Sequence, residues 1–341
     1  MKNIRLEPRP SWRDLFPVAD VDGSFGKQYA NFCYTGSGKS AISLILQYLR
    51  ETGTLENKMS AVAVPDWLGV QVYQQIQLHS FALPARIGAP CRAALVYHQY
   101  GFPQDMNRIM DHAAAKKMIV IEDCAHACAS TYKGRPLGSI GDYAVFSFSK
   151  FVFCGALGGI ACKDAGFQAF VDHKKNGSSR LLCHLINGIK HLDEWNLSRN
   201  KPLLPVFMSA MRTAFYSQYG ISHRAACGSV SLWKKKRQAE MALRQKRYKS
   251  FRATVDAFGI CDHLEADGIT PYAIPVIIGD DKRRALVHKL NLNGYHAGVY
   301  RFDAARFMFE PRFVECILLP CHSGISDRDF DTMTGIIVES L

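Results

Sequence analysis

The stretch VIEDCAHACASTYKGRPLGSIGDYAVFSFSKFVFCGALGGIACKD, Val120 to Asp164, decides the fold. It opens on VIED, a short apolar run of the kind that a strand buried on both faces shows, ending in two acids. A turn-rich segment follows, YKGRPLGSIGD, and then a second apolar run, YAVFSFS. From Tyr143 to Cys162 the chain is almost long enough and apolar enough to cross a bilayer. Lys150 sits at the middle of that stretch, where a lysine costs roughly 2.5 to 3.5 kcal/mol, and Gly155, Gly158 and Gly159 interrupt it. The pattern therefore predicts two buried strands meeting at a turn, no membrane span, and a buried lysine that demands a reason.

Upstream, DMNRIMDHAAAKKM reads as an amphipathic helix running into the strand MIVIED, and SAVAVPD, PARIGA and RAALVYHQY read as short buried strands. Ser37-Gly38-Lys39-Ser40 opens a helical pattern in which Ile42, Ile45, Leu46 and Leu49 recur at helical spacing. Alternating helices and strands predict an α/β class: a mostly parallel sheet with helices on both faces, and ligands beyond the carboxyl ends of its strands. Asp123 lies at one such end. At 341 residues the chain exceeds the roughly 250 to 300 that one core holds, so a smaller unit is expected after the large one. We place the boundary at residue 235, giving a large domain over 1–235 and a small α+β domain over 236–341, with YAIPVIIGD, a helix near Arg283 to Leu292, and CILLPCH in the latter.

The net charge of +12 favours acidic partners without choosing among nucleic acid, an anionic surface and a phosphorylated small molecule. Lys234 to Arg252 holds nine Lys and Arg against Glu240 alone. We read it as a solvated helix joining the two domains; the alternative is a nucleic-acid-binding regulator. Eleven cysteines without a C-x-x-C pair, and an N-terminus without the apolar core of a signal peptide, point to reduced thiols and a cytoplasmic protein. No metal-ligand spacing is present. Gly38-Lys39-Ser40 imitates the end of a Walker A loop, but the glycine that motif needs five residues earlier is Cys33.

These motifs, in this order, resemble the DegT/DnrJ/StrS family of pyridoxal-phosphate (PLP) dependent sugar aminotransferases. The likeness rests on the E-D-x-A-H strand end, on Y-K-G-R-P-L-G-S-I-G-D, on F-S-F with its Gly-rich turn, and on LLPCHSGISDRDFDTM, which resembles the family's C-terminal L-P-x-H segment. It implies a three-layer fold-type-I architecture and a homodimer with active sites between subunits. It also implies transfer of an amino group, from glutamate or another amino acid, to a nucleotide-linked keto-sugar. The resemblance gives Asp123 the pyridine nitrogen of PLP, His126 the ring, and Ser37, Gly38, Lys39, Ser40 and Ser147 the phosphate; Trp67 either stacks on the ring or packs in the core. A carboxylate suits the first role because PLP is an electron sink only while that nitrogen is protonated.

The chain departs from the family at one decisive place. The usual spacing F-S-F-x-x-x-K puts Val152 at the position of the lysine that joins PLP covalently and moves the proton, with Lys150 two residues early. In an extended segment a two-residue shift keeps a side chain on one face, a displacement of roughly 6.6 Å. Lys150 is therefore the expected catalytic lysine, together with Asp123. The alternative is a PLP-fold protein without transaminase activity, serving as sensor or scaffold. Neither the segment from Arg180 to Gly228 nor YRFDAARFMFEPR carries a recognisable family signature.

Overall fold

The computed structural model describes residues 4–9, 24–177, 179–197, 209, 222–260, 264 and 267–341. The alternation of the sequence becomes a seven-stranded sheet. In chain order it comprises β1 Asn31–Thr35, α1 Gly38–Glu51, β2 Ala61–Val64, α2 Val70–Gln77, β3 Phe81–Pro84, β4 Ala93–Tyr97, α3 Met106–Lys116 and β5 Ile119–Asp123. The two-residue strands β6 Thr131–Tyr132 and β7 Arg135–Pro136 form a small ribbon, and β8 Tyr143–Ser147, β9 Gly158–Cys162 and α4 Ala165–Asn176 follow. The strand order is β1-β9-β8-β5-β4-β2-β3. Every pairing from β3 to β8 is parallel, whereas β9 runs antiparallel to both its neighbours.

Both sheet faces are buried, so apolar side chains alternate between two cores rather than between core and water. Ala93, Leu95, Ile121 and Val145 pack with Leu44 and Ile45 of α1, while Ala94, Val96, Val120, Ala144 and Phe146 pack on the opposite side with Met106 and Ile109 of α3. The stretch from Tyr143 to Cys162 is the expected pair of buried strands, antiparallel to each other. PARIGA departs from expectation: the strand is FALP, and Ala85–Ile87 form a 3-10 turn closed by Gly88 in the left-handed region.

Beyond α5 (Arg180–Leu197), the helix α6 (Cys227–Val255) leads to a three-stranded antiparallel sheet of β10 Ala273–Val276, β11 Val299–Asp303 and β12 Phe313–Pro320, in the order β10-β12-β11. α7 Asp280–Leu292 and α8 Asp327–Val338 complete this unit. Residue 235 lies inside α6, one continuous helix of 29 residues. That helix is solvated over only part of the charge run, and its other face is buried. Trp233, Arg244 and Tyr248 are fully buried, and Arg244 donates to the carbonyls of Phe151, Pro271 and Tyr272 and, at 2.6 Å, to Glu240. Arg247 donates to the carbonyls of His322 and Ile325. A buried guanidinium is tolerated when it is hydrogen-bonded; Arg244 joins Phe151 to Pro271 and Tyr272 just ahead of β10, and Arg247 fastens α6 to the segment after β12.

Candidate active site

Two neighbouring acids end β5 on opposite faces. Glu122 is fully buried, and its oxygens accept from the backbone N–H of Gly138, Ile140 and Gly141 at 2.6 to 2.9 Å and contact His98 Nε2 at 3.2 Å. Because His98 Nδ1 accepts from the Gln104 N–H, the proton sits on Nε2 and points at the carboxylate. Burial pushes the Glu122 carboxyl up, but these donors outweigh it and hold it below the usual glutamate value. The loop they pin is LGSIG, where Gly138 has φ +88° and a side chain would strike Phe146. The ligand atoms of His98, Glu122 and Cys124 lie within 4.8 Å of one another, yet the acid of that trio is already spent on the loop.

Asp123 is buried too, but among the described residues its carboxylate accepts only the Ala125 N–H, at 3.0 Å. Burial raises its pKa above the ordinary aspartate value, against the opposing pull of that N–H, Lys150 and His98. It is paired in register with Tyr97 on β4 and Val145 on β8, on the face that packs α1.

Lys150 reaches this face by a different route from the one expected. Phe148–Lys150 form a 3-10 turn, with the N–H groups of Phe151 and Val152 both donating to the Phe148 carbonyl, so the segment is not extended and period-two reasoning does not apply to it. Phe148 stacks against Trp233 of α6 with ring centroids 4.4 Å apart, and Phe151 lies beneath the Arg244 guanidinium. These two buried anchors leave the lysine between them pointing into the cleft. Its Nζ lies 2.8 Å from His126 Nε2. Val152 is buried in the core and offers the site nothing.

His126 is clamped. Its Nδ1 lies 2.5 Å from the Tyr97 hydroxyl, and its ring stacks on Tyr272 at 4.0 Å with a 6° interplanar angle. Burial, then the charges of Lys150 and Arg244, push its pKa well below the usual histidine value, so the imidazole is neutral at neutral pH. Neither Tyr97 nor Tyr272 was singled out by the sequence.

The start of α1 closes the site. Ser37 caps the helix, its hydroxyl accepting from the Ser40 N–H while Ser40 Oγ accepts from the Ser37 N–H, both at 3.0 Å. A side chain on Gly38 would meet Ser147 Cβ at 3.2 Å, so the helix start and the end of β8 touch. The N-terminal turn of the helix and the Ser147 hydroxyl, which makes no hydrogen bond among the described residues, thus lie together where an anion would find donors. Lys39 Nζ donates to Gln71 at 2.7 Å; burial and the charges of Lys190 and Lys150 push its pKa down to about 8, marking a place where cations gather. Trp67 lies farther out, 40% exposed, with the Arg301 guanidinium 5.4 Å from its ring centroid; it is not a core tryptophan. A cavity of about 670 Å³ elsewhere, at the amino ends of β2, β4 and β5, holds only an exposed Glu56–Arg92 pair as its ion pair and no counterpart of this arrangement.

Residues 70–180 match the model of the DegT/DnrJ/EryC1/StrS aminotransferase family. The segment carries Asp123, His126, Ser147 and Lys150. The chain is 46% identical over 57 residues to the GDP-perosamine synthase of Escherichia coli O157:H7, covering 17% of this chain and 16% of that protein. It is 37% identical over 198 residues to the dTDP-3-amino-3,6-dideoxy-alpha-D-galactopyranose transaminase of Aneurinibacillus thermoaerophilus, covering 51% and 54%. The chain thus matches no more than about half the length of these relatives. Among solved structures, the aminotransferase TlmJ from Streptoalloteichus hindustanus superposes with a TM-score of 0.65 at 18% identity, covering 98% of this chain and 92% of that one. The E. coli GDP-4-keto-6-deoxy-D-mannose-3-dehydratase with bound hydrated PLP gives 0.63 at 15% identity, covering 92% and 89%. At such identities the likeness is one of fold, which is the three-layer fold-type-I architecture expected.

Proposed function

We propose that this chain is a PLP-dependent aminotransferase that moves an amino group from an amino acid, glutamate by preference, to a keto-sugar carried on a nucleotide. The observation that carries the reading is the convergence on one strand-end face of an under-compensated buried carboxylate, an amine 2.8 Å from a neutral imidazole, and a capped helix start beside a serine hydroxyl with no hydrogen bond among the described residues. The donor set fits PLP: the N–H groups of Gly38 and Lys39 with Ser147 would hold the phosphate, Ser37 and Ser40 would fix the turn that presents them, and Asp123 would accept the proton-bearing ring nitrogen. PLP supplies, when bound, an electron sink for the carbon that bears the amino group.

The chain's own residues perform the rest. Asp123 favours the protonated ring because a cation there restores the charge balance that burial denies it. Lys150 Nζ is the group that moves a proton across the cleft, and the hydrogen bond to His126 Nε2 orients it. Tyr97 and Tyr272 hold that imidazole in plane, and Trp67 forms the outer rim where a sugar would pass. The nucleotide-sugar class is supported by the names of the matched relatives, and the basic balance of the chain suits a diphosphate.

The family likeness supports a homodimer, and we propose a cytoplasmic location; no helix among the described residues is long and apolar enough to cross a membrane. We assign residues 1–235 to the PLP-binding domain and 236–341 to the small one. Nucleic acid is a poor partner for α6, whose Arg244 and Arg247 are already committed to carbonyls.

One observation favours a second reading, the lapsed PLP-fold protein: Val152 stands where the family spacing places the lysine. A half-reaction separates the two. The PLP-loaded chain, given L-glutamate and no sugar, should release about one equivalent of 2-oxoglutarate per site; a chain that binds PLP yet releases no keto acid from any amino acid overturns the transaminase reading.

A further inference from the structure

Lys150 has a second partner that comes from the far end of the chain. The segment 4–9 is fastened to the small domain: Ile4 bridges to Tyr295, the His296 N–H donates to the Ile4 carbonyl at 3.1 Å, and His322 Nε2 lies 2.8 Å from the Arg5 carbonyl. Burial, then the charge of Arg244, depresses the His322 pKa to about 4, so this ring is a neutral donor at neutral pH and the strap stays tied. The strap delivers Glu7 to the cleft. One oxygen, Glu7 Oε1, accepts from the Tyr272 hydroxyl at 3.2 Å and lies 3.7 Å from Lys150 Nζ.

We infer that Glu7 is the counter-ion of Lys150, a positioning residue that sets how readily the amine gives up its proton. This rests on the reading of Lys150 as the reactive lysine. The groups facing Nζ are Glu7 on the strap, His126 and Asp123 from the end of β5, Lys39 from α1, and Tyr272, whose ring centroid is 5.6 Å away and behind which Arg244 lies. Asp123 faces the cofactor position. Glu7 is the carboxylate that meets the amine from outside the proposed cofactor pocket. Tyr272 fixes the shared oxygen: burial, first among its causes, keeps this phenol protonated far above neutral pH, so it remains a donor.

The test is the pH profile of Lys150 acylation by acetic anhydride in the full-length chain freed of PLP, read by peptide mass spectrometry with the surface lysines as internal standards. Glu7→Gln should lower the midpoint at Lys150 by about one pH unit, roughly tenfold more acylation at a pH below both midpoints, with Lys39 and the surface lysines unmoved. Glu7→Asp should keep most of the wild-type value, and Tyr272→Phe, which preserves the stack on His126, should move it part of the way. An unchanged Lys150 midpoint in a Glu7→Gln chain that melts like the wild type overturns the inference. Should that variant fail to fold, Tyr272→Phe decides by the same criterion. Because the readout needs neither PLP nor turnover, a failed glutamate half-reaction and a failed midpoint shift are separate results.

Discussion

Glu122 and Asp123 are consecutive, both buried, both at the carboxyl end of β5, and they behave as opposites. Glu122 faces a loop and receives three backbone N–H bonds and a histidine; Asp123 faces the cleft and receives one N–H. The carboxyl of the first is held below its ordinary pKa and that of the second is raised above it. A buried acid that the chain itself satisfies is architecture, and one that the chain leaves short of donors is waiting for a ligand. Pocket volume teaches less, since the roomy cavity lies at the other end of the strands.

Exchanging each acid for its amide tests this contrast. Asp123→Asn should cost about a thousandfold in kcat/KM, roughly 4 kcal/mol, with thermal stability kept or slightly improved because a poorly compensated buried charge is gone. The half-reaction rate and a melting curve check it together. Glu122→Gln should do the reverse, losing about 3 kcal/mol of stability in urea while the folded fraction turns over within a few-fold of wild type. It should also change the acid limb. A carboxyl whose folded pKa is depressed stabilises fully above the unfolded glutamate value, and that contribution is lost as pH falls through the folded one; the variant should therefore lose less stability than wild type on acidification below about pH 4.3. Smallest of the three, Tyr97→Phe removes the hydroxyl from His126 Nδ1 and should slow the half-reaction by about fivefold, near 1 kcal/mol, without shifting the urea midpoint by more than that. If Glu122→Gln abolished turnover in well-folded protein, the division between the two acids would be wrong.

Much of this was legible in Val120–Asp164, because the strand-end acids, the Gly-rich loop and the two strands of the FSF segment are local patterns. So was the capped start of α1. The reach of Lys150 was expected from an extended backbone, but the two buried phenylalanines at 148 and 151 wind the segment into a 3-10 turn, a choice made by packing against Trp233 and Arg244 that no short window contains. The same holds for α6: its nine cations look solvated in sequence, yet two of them are buried against carbonyls of Phe151, of the residues just before β10 and of the loop after β12. PARIGA read as a strand because its apolar residues mask a turn that Gly88 closes. Glu7 and Tyr272 were invisible because what brings them together is a contact across 265 positions. The segment from Arg180 to Gly228 showed no signature, and its residues 198–208 and 210–221 lie outside the described residues.

Borohydride reduction tests the central claim most directly. The chain incubated with PLP and reduced should lose its visible absorbance and carry one phosphopyridoxyl group per subunit, on the peptide containing Lys150. Label on Lys39 or on scattered surface lysines, with Lys150 unmodified, would contradict the account.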